Sequence, residues 1–264
     1  MSYGSDHSIE TLLPDTDVHD VLDNSLTLLR SGNTLVHEVE GHEDVIVRQS
    51  FTAINMLPDV ERAAETFNRL PEHGIPCVPF IPQPHQDQVY IITQRVHGDK
   101  LNQLLAPDAE PAIVAETDVL LGTLGGYYHD RKQDGERVAP DLEATGQYMR
   151  GRVAGDPAVL SRAVDLEPFD LSFGPDRGQD YEHIYEEYAF WLARSVVDTE
   201  QRVAQELPAA RHGIEEVLTL VDRKAGLPRM IATAIEDMLE NGTKYDYSRF
   251  PPGPLVADDQ RWDA

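Results

Sequence analysis

The predicted fold depends most on Val138-Ala139-Pro140-Asp141-Leu142, followed by Gln147-Tyr148-Met149 and, after the turn Gly155-Asp156-Pro157, by Val164-Asp165-Leu166-Glu167-Pro168. The glycine and proline turn indicates a β-hairpin between residues 147 and 165. One aspartate, Asp141, precedes this hairpin, and another, Asp165, follows it. Two acids on either side of a hairpin are typical of a phosphoryl-transfer site, where one acts as a base and the other binds a metal ion.

The part of the chain before residue 98 is predicted to form a small lobe made mostly of β-sheet. A helix is expected to begin at Pro58, because the missing N–H of proline costs nothing at a helix start. The residues expected on its apolar face are Val60, Ala63, Ala64 and Phe67. Strands are predicted at 26–30, 34–40, 45–49, 77–81 and 89–96, with a polar turn at 83–88.

The part of the chain after residue 98 is predicted to be mainly helical. Apolar residues recur at intervals of three and four along 112–128, 184–207, 214–221 and 230–239. The predicted fold class is therefore α+β, with a loose acidic N-terminus at 1–17, a β-rich lobe at 18–97, a helical lobe with a β-hairpin at 98–249 and a proline- and aspartate-rich tail at 250–264. The aromatic residues of the segment 181–191 are expected to pack in the core.

The charge of the chain restricts its partners. Its 264 residues include 47 Asp and Glu against 22 Lys and Arg, for a formal net charge of −25. A surface of this kind resembles those of cytoplasmic proteins from extreme halophiles, because salt screens the repulsion between carboxylates. The same charge argues against binding to nucleic acid or to an anionic membrane. We expect stability to depend on high salt.

The remaining composition supports a soluble cytoplasmic protein. Cys77 is the only cysteine, so a disulfide within the chain and a cysteine-based zinc site are excluded. Its apolar neighbours indicate a buried thiol. No segment approaches the roughly 20 apolar residues of a membrane span. The ten histidines do not show the spacing of a zinc-protease helix, although His37 and His42 lie near an acidic turn.

The order of these elements resembles the protein-kinase-like fold. Ser31-Gly32-Asn33 corresponds to the glycine loop that covers phosphate, although the family has several glycines there. Arg48, at the end of Val45-Ile46-Val47-Arg48, corresponds to the phosphate-binding lysine. Arg keeps the positive charge but is bulkier than Lys and binds as a fork. The resemblance implies that Glu65, or Glu61 one turn earlier, pairs with Arg48.

The resemblance also assigns the remaining site residues. Gln94, Arg95 and Val96 correspond to the hinge that binds an adenine ring through backbone groups. Asp141 corresponds to the catalytic base, while Ala139 replaces the residue that usually braces this loop. Gln147 corresponds to a metal-binding asparagine, with one extra residue in the spacing. Asp165 corresponds to the principal Mg²⁺ ligand, and Glu167 adds a second carboxylate.

Three functional hypotheses follow from the sequence. The first is a kinase-like protein that binds ATP and Mg²⁺ between its lobes and, if active, transfers the γ-phosphoryl group to a hydroxyl of an unknown substrate. The second is a catalytically inactive pseudokinase that regulates or scaffolds a protein partner, because Arg48, Ala139 and Gln147 depart from the family pattern. The third is an unrelated α+β domain.

Overall fold

The computed structural model describes residues 9–30, 35–136, 140, 142–164 and 183–242. Within them the chain has an α+β fold that divides into two compact units. Unit 1 contains the described residues up to Leu104 and those from 140 to 164, and unit 2 contains the described residues of 105–136 and 183–242. The hairpin that the sequence analysis assigned to the helical lobe therefore belongs to unit 1.

Unit 1 is built on a five-stranded antiparallel sheet. Its spatial order is β1-β2-β3-β5-β4, so that β3 is the central strand. The strands are β1 (Leu26–Arg30), β2 (Leu35–Val39), β3 (His42–Ala53), β4 (Phe80–His85) and β5 (Gln88–Gln94). All five strands lie at or near the positions predicted from the sequence.

The connection between β4 and β5 differs from its prediction. The segment 83–85, predicted as a turn, continues β4, and the turn contains only Gln86 and Asp87. Pro82 and Pro84 are tolerated because β4 is an edge strand with β5 as its one neighbour in the sheet. No strand lies on the other side of β4, so an N–H group missing there breaks no hydrogen bond between strands. The strand predicted from residue 77 begins at Phe80.

Helix α3 (Leu57–Asn68) connects β3 to β4 and packs on one face of the sheet. Its buried residues are Val60, Ala63, Ala64 and Phe67, which confirms the predicted apolar face. The ring of Phe67 lies 4.3 Å from the ring of Phe80 at the start of β4. The Asn68 side chain accepts a hydrogen bond from the Phe80 N–H (2.8 Å) and donates one to the Phe80 carbonyl (2.9 Å). The end of α3 is thereby fixed to the edge strand.

The opposite face of the sheet is covered by the N-terminal segment 9–24, of which residues 9–17 were predicted to be loose. The segment contains helices α1 (Ile9–Leu12) and α2 (Val18–Asn24), so the prediction was wrong for residues 9–17. Leu13, Val21 and Leu22 are buried in one cluster with sheet residues. The physical reason is that this sheet face is apolar and burying it outweighs the local preference of a polar segment. The sheet residues of the cluster are Val39, Val45, Val47 and Ile92.

A three-stranded antiparallel sheet completes unit 1. It contains β6 (His97–Lys100), β7 (Tyr148–Val153) and β8 (Asp156–Ala163), and β6 leads into the short helix α4 (Leu101–Leu104). The hairpin of β7 and β8 confirms its prediction, whereas β6 was not predicted. Gly98 of β6 faces Gly151 of β7, and a Cβ atom on Gly98 would lie 2.7 Å from the Gly151 Cα. Only glycine allows the two strands to approach so closely.

Unit 2 consists of the helices α5 (Pro111–Gln133), α6 (Ile184–Val203), α7 (Pro208–Thr219) and α8 (Gly226–Asn241). The backbones of α5 and α7 approach closely at two glycines. A Cβ atom on Gly125 would lie only 2.7 Å from the Gly213 Cα. Tyr185, Tyr188 and Phe190 are buried, so the predicted core role of the aromatic segment holds for these residues. Of the helices in the described part of the chain, none has the length and apolar character needed to cross a membrane.

Candidate functional site

Arg48 lies on the central strand of the five-stranded sheet. It is paired in register with Val36 of β2 and Ile91 of β5, and its side chain is half-buried. Because side chains alternate along a strand, Arg48 faces away from the cluster that contains Val47 and toward the side covered by α3. Its guanidinium carbon lies 5.8 Å from the ring centroid of Phe80. This cation–π contact holds a positive charge at a fixed place beside α3.

The two acids proposed as partners of Arg48 lie on α3. Glu61 and Glu65 are both exposed, whereas the buried stripe of the helix is apolar. Within the described part of the chain, neither Glu61 nor Glu65 forms an ion pair or a side-chain hydrogen bond. The pair of Arg48 with Glu65 that the resemblance implied is therefore not formed in this conformation.

The predicted hinge follows the end of β5. Gln94 is the last residue of that strand and is paired in register with Val45 of β3. The Arg95 N–H donates to the Asp44 carbonyl (2.8 Å), and the Arg95 guanidinium donates to Glu38. Val96 is buried, and its backbone forms no hydrogen bond with any residue that the structure describes. Of the three predicted residues, Val96 is therefore the one whose backbone groups make no hydrogen bond within the described part of the chain.

Gln147 lies in a short turn before β7 and has a structural role. The Gln147 side-chain carbonyl accepts the Ala144 N–H (2.9 Å), and the Gln147 N–H donates to the Ala144 carbonyl (2.9 Å). The buried Tyr148 hydroxyl donates to the Leu142 carbonyl (2.9 Å). The amide oxygen that was predicted to bind a metal ion thus already closes the turn.

Three predicted site residues, Gly32, Asp141 and Asp165, lie outside the described residues, and so do Ala139 and Glu167. Pro140 and Leu142 on either side of Asp141, and Val164 just before Asp165, are described. The Leu142 carbonyl accepts a hydrogen bond from the Tyr148 hydroxyl, and the Val164 N–H donates to the Gln147 carbonyl (3.0 Å). The residues next to the two aspartates are therefore attached to the same turn at the start of β7. In the part of the chain that is described, no group of three or more His, Cys, Asp or Glu residues is placed to hold a metal ion.

Unit 1 also contains a cavity of about 450 Å³ that the sequence analysis did not predict. Its wall includes Leu12 of α1, Cys77, Gln94, Asp156 and Arg162. The buried Arg162 guanidinium donates to the Asp156 carboxylate (2.6 Å) and to the Gly151 carbonyl (2.7 Å). Cys77 is half-buried, not fully buried as predicted, and burial raises the pKa of its thiol to about 12, so little of it is thiolate at neutral pH. No local sequence pattern predicts the cavity, because the residues of its wall come from segments far apart in the chain.

Two comparisons with known proteins found no match to this chain. No protein-family model matches the sequence, and no curated protein matches it significantly. What the described residues define is an α+β protein in which a half-buried arginine lies on the central strand of an antiparallel sheet.

Proposed function

We propose that this protein is a kinase-like protein that binds ATP through unit 1. The observation that carries the proposal is the position of Arg48, on the central strand and on the side covered by α3, which is where the resemblance requires the phosphate-binding cation. Arginine presents a planar fork of donors that matches phosphate oxygens. Val96, whose backbone groups make no hydrogen bond within the described residues, supports binding of a purine base two residues after β5.

The assigned residues would have separate roles in this site. Arg48 would hold phosphate oxygens, and Gly32 would lie in the loop that covers them. The backbone of the hinge 94–96 would hold the base. Asp141 would accept the proton of the attacking hydroxyl if the protein is active, because a base must lie within hydrogen-bond reach of that proton. The described residues among these, Arg48 and the hinge 94–96, belong to unit 1.

The proposed Mg²⁺ site fits the described residues poorly. Gln147 was one of two predicted ligands, and its amide oxygen accepts the Ala144 N–H. The two predicted carboxylates, Asp165 and Glu167, lie outside the described residues. We therefore derive no catalytic step through the metal ion.

The second candidate function is a pseudokinase that serves as a regulatory module for a protein partner. Two observations favour it over phosphoryl transfer. The Gln147 amide is used to close a turn, and Glu65 is exposed and makes no ion pair within the described residues. A protein of this class keeps the fold, while metal-dependent nucleotide binding is weak or absent.

Nucleotide binding by the full chain tests the proposal. We would measure the affinity for a fluorescent ATP analogue in molar KCl, with Mg²⁺ and with EDTA. The variants are Arg48→Gln, Asp165→Asn and the control Arg62→Gln, which removes an exposed arginine of the same unit. At 100 times Kd, ATP should stabilise the protein by about 2.7 kcal/mol, which a thermal scan detects. Far-UV circular dichroism of each variant monitors folding.

The outcomes separate the hypotheses. Binding that Arg48→Gln abolishes and Arg62→Gln leaves unchanged supports the nucleotide site. A requirement for Mg²⁺ that Asp165→Asn removes, together with phosphorylation of a hydroxyl acceptor, selects the active kinase. Binding that ignores Mg²⁺ and gives no turnover selects the pseudokinase. Absence of binding to a folded wild-type chain refutes the proposed ATP site and leaves the pseudokinase without nucleotide binding or the unrelated α+β domain.

A further inference from the structure

Two histidines meet where α2 packs against the edge of the sheet. The Nδ1 atom of His19 on α2 lies 3.0 Å from the Nδ1 atom of His85 at the end of β4. His85 is buried, with 8% of its side chain exposed, and His19 is exposed. The pair therefore combines one rigid imidazole with one that solvent can reach.

The ring of His85 is oriented by its surroundings. Its Nε2 atom lies 2.8 Å from the Asp23 Oδ1 atom, and the Gln86 side chain donates to the same oxygen (3.1 Å). The ring of Tyr90 packs edge-on against His85 at 6.0 Å between centroids. The Gln86 amide nitrogen also lies 3.3 Å from Nε2. The carboxylate at Nε2 favours the tautomer that carries the proton there, and in that tautomer the Nδ1 lone pair is directed at His19. Histidines that bind metal ions usually donate their other ring N–H to a carboxylate in this way.

The separation of the two Nδ1 atoms can be compared with the nitrogen–nitrogen distances of different metal coordination geometries. With metal–nitrogen bonds of about 2.0–2.1 Å, tetrahedral coordination requires about 3.3 Å between two nitrogens, and a right angle requires about 2.8–3.0 Å. The observed 3.0 Å corresponds to two adjacent positions of a square-planar or octahedral ion. Imidazole ligands in tetragonal geometry are typical of Cu²⁺ and Ni²⁺.

We propose that His19 and His85 form a binding site for a Cu²⁺ or Ni²⁺ ion, with Asp23 as the carboxylate that orients His85. The ion replaces the single proton between the two Nδ1 atoms, and that proton moves to Nε2 of His19. Water fills the remaining coordination positions. The acidic residues of α2 and the net charge of −25 attract a divalent cation to this surface. The site would link the N-terminal helices to the edge strand and is independent of nucleotide binding.

Copper titration of the full chain tests this site. Cu²⁺ would be added in the presence of excess citrate, an oxygen-only chelator that suppresses binding to isolated surface carboxylates and histidines, and electron paramagnetic resonance would report the number of bound nitrogens. The variants are His19→Ala, His19→Gln and Asp23→Ala. The matched control is His212→Ala, which removes an exposed histidine of α7. Thermal unfolding of each variant without metal monitors the fold.

We expect one ion bound with a two-nitrogen signal in the wild type and in His212→Ala. Both His19 variants should lose that signal while remaining folded, since His19 is exposed. Asp23→Ala should weaken binding by about 10- to 100-fold, the usual effect of removing the partner of a ligating histidine. Equal affinity in the wild type and the His19 variants, or a wild-type signal from a single nitrogen, would mean that the pair shares only a proton, and this result overturns the proposal.

Discussion

Glu187 on α6 offers a direct test of the packing in unit 2. Burial raises the pKa of this carboxyl from 4.5 to about 7, and the negative charge of Glu186 contributes further in the same direction. Glu186 itself is buried and is paired with Lys132, so it remains a source of negative charge. The perturbation is Glu187→Gln, which keeps the shape of the side chain and removes its charge at every pH.

The magnitude follows from proton linkage. A carboxyl with a raised pKa binds its proton more tightly in the folded state, so the free energy of unfolding falls as pH rises from about 4.5 to about 7. The slope is about 1.4 kcal/mol per pH unit, for a total of about 3 kcal/mol. The loss is complete above about pH 7. Glu187→Gln should therefore match the wild type near pH 4.5 and exceed it by about 3 kcal/mol at pH 8.

The assay is urea unfolding at a series of pH values in a fixed molar concentration of KCl, which screens distant charges. Circular dichroism reports helix content, and hydrogen exchange of the α6 amides reports on unit 2. The control is Glu65→Gln, because Glu65 is exposed and unpaired within the described residues. A stability difference between Glu187→Gln and the wild type that stays constant from pH 4.5 to 8 would refute the reasoning.

Three further outcomes are expected. Lys132→Met should destabilise unit 2 by about 3–5 kcal/mol, because it leaves the buried Glu186 carboxylate without its cation. Urea unfolding measures this loss, and a change below about 1 kcal/mol would contradict the prediction. Gly98→Ala should unfold the three-stranded sheet, and hydrogen exchange would show this as lost amide protection in β6 and β7. The control Gly226→Ala should behave as the wild type, because a Cβ atom at position 226 would meet open space. Cys77 should react with iodoacetamide only as the protein unfolds, because a rise in pKa from 9.0 to about 12 leaves about a thousandth of the usual thiolate; alkylation that is fast in the absence of urea would refute this.

Local pattern predicted much of unit 1. The apolar spacing from Val60 to Phe67 identified the buried face of α3, and the turn around Gly155 identified the hairpin of β7 and β8. The prediction of a loose N-terminus was wrong because Leu13 is buried by a sheet face whose strands come from other parts of the chain.

The candidate site was predicted less completely. The sequence identified Arg48 as a cation at the end of an apolar strand, and the structure places it on the side of the sheet covered by α3. The resemblance assigned a metal ligand to Gln147, but its amide oxygen closes a turn through a contact with Ala144. Side-chain partners of this kind depend on distances that sequence spacing does not specify.

The sequence by itself determined the α+β class, the acidic surface and the position of most helices and strands, because periodicity and turn residues act over a few neighbours. Only the tertiary structure decided which distant residues meet. His19 and His85 come together across 66 positions, and Gly98 meets Gly151 across a different sheet. The physical reason is that such contacts follow from the burial of whole faces, to which many residues contribute and which no short segment encodes.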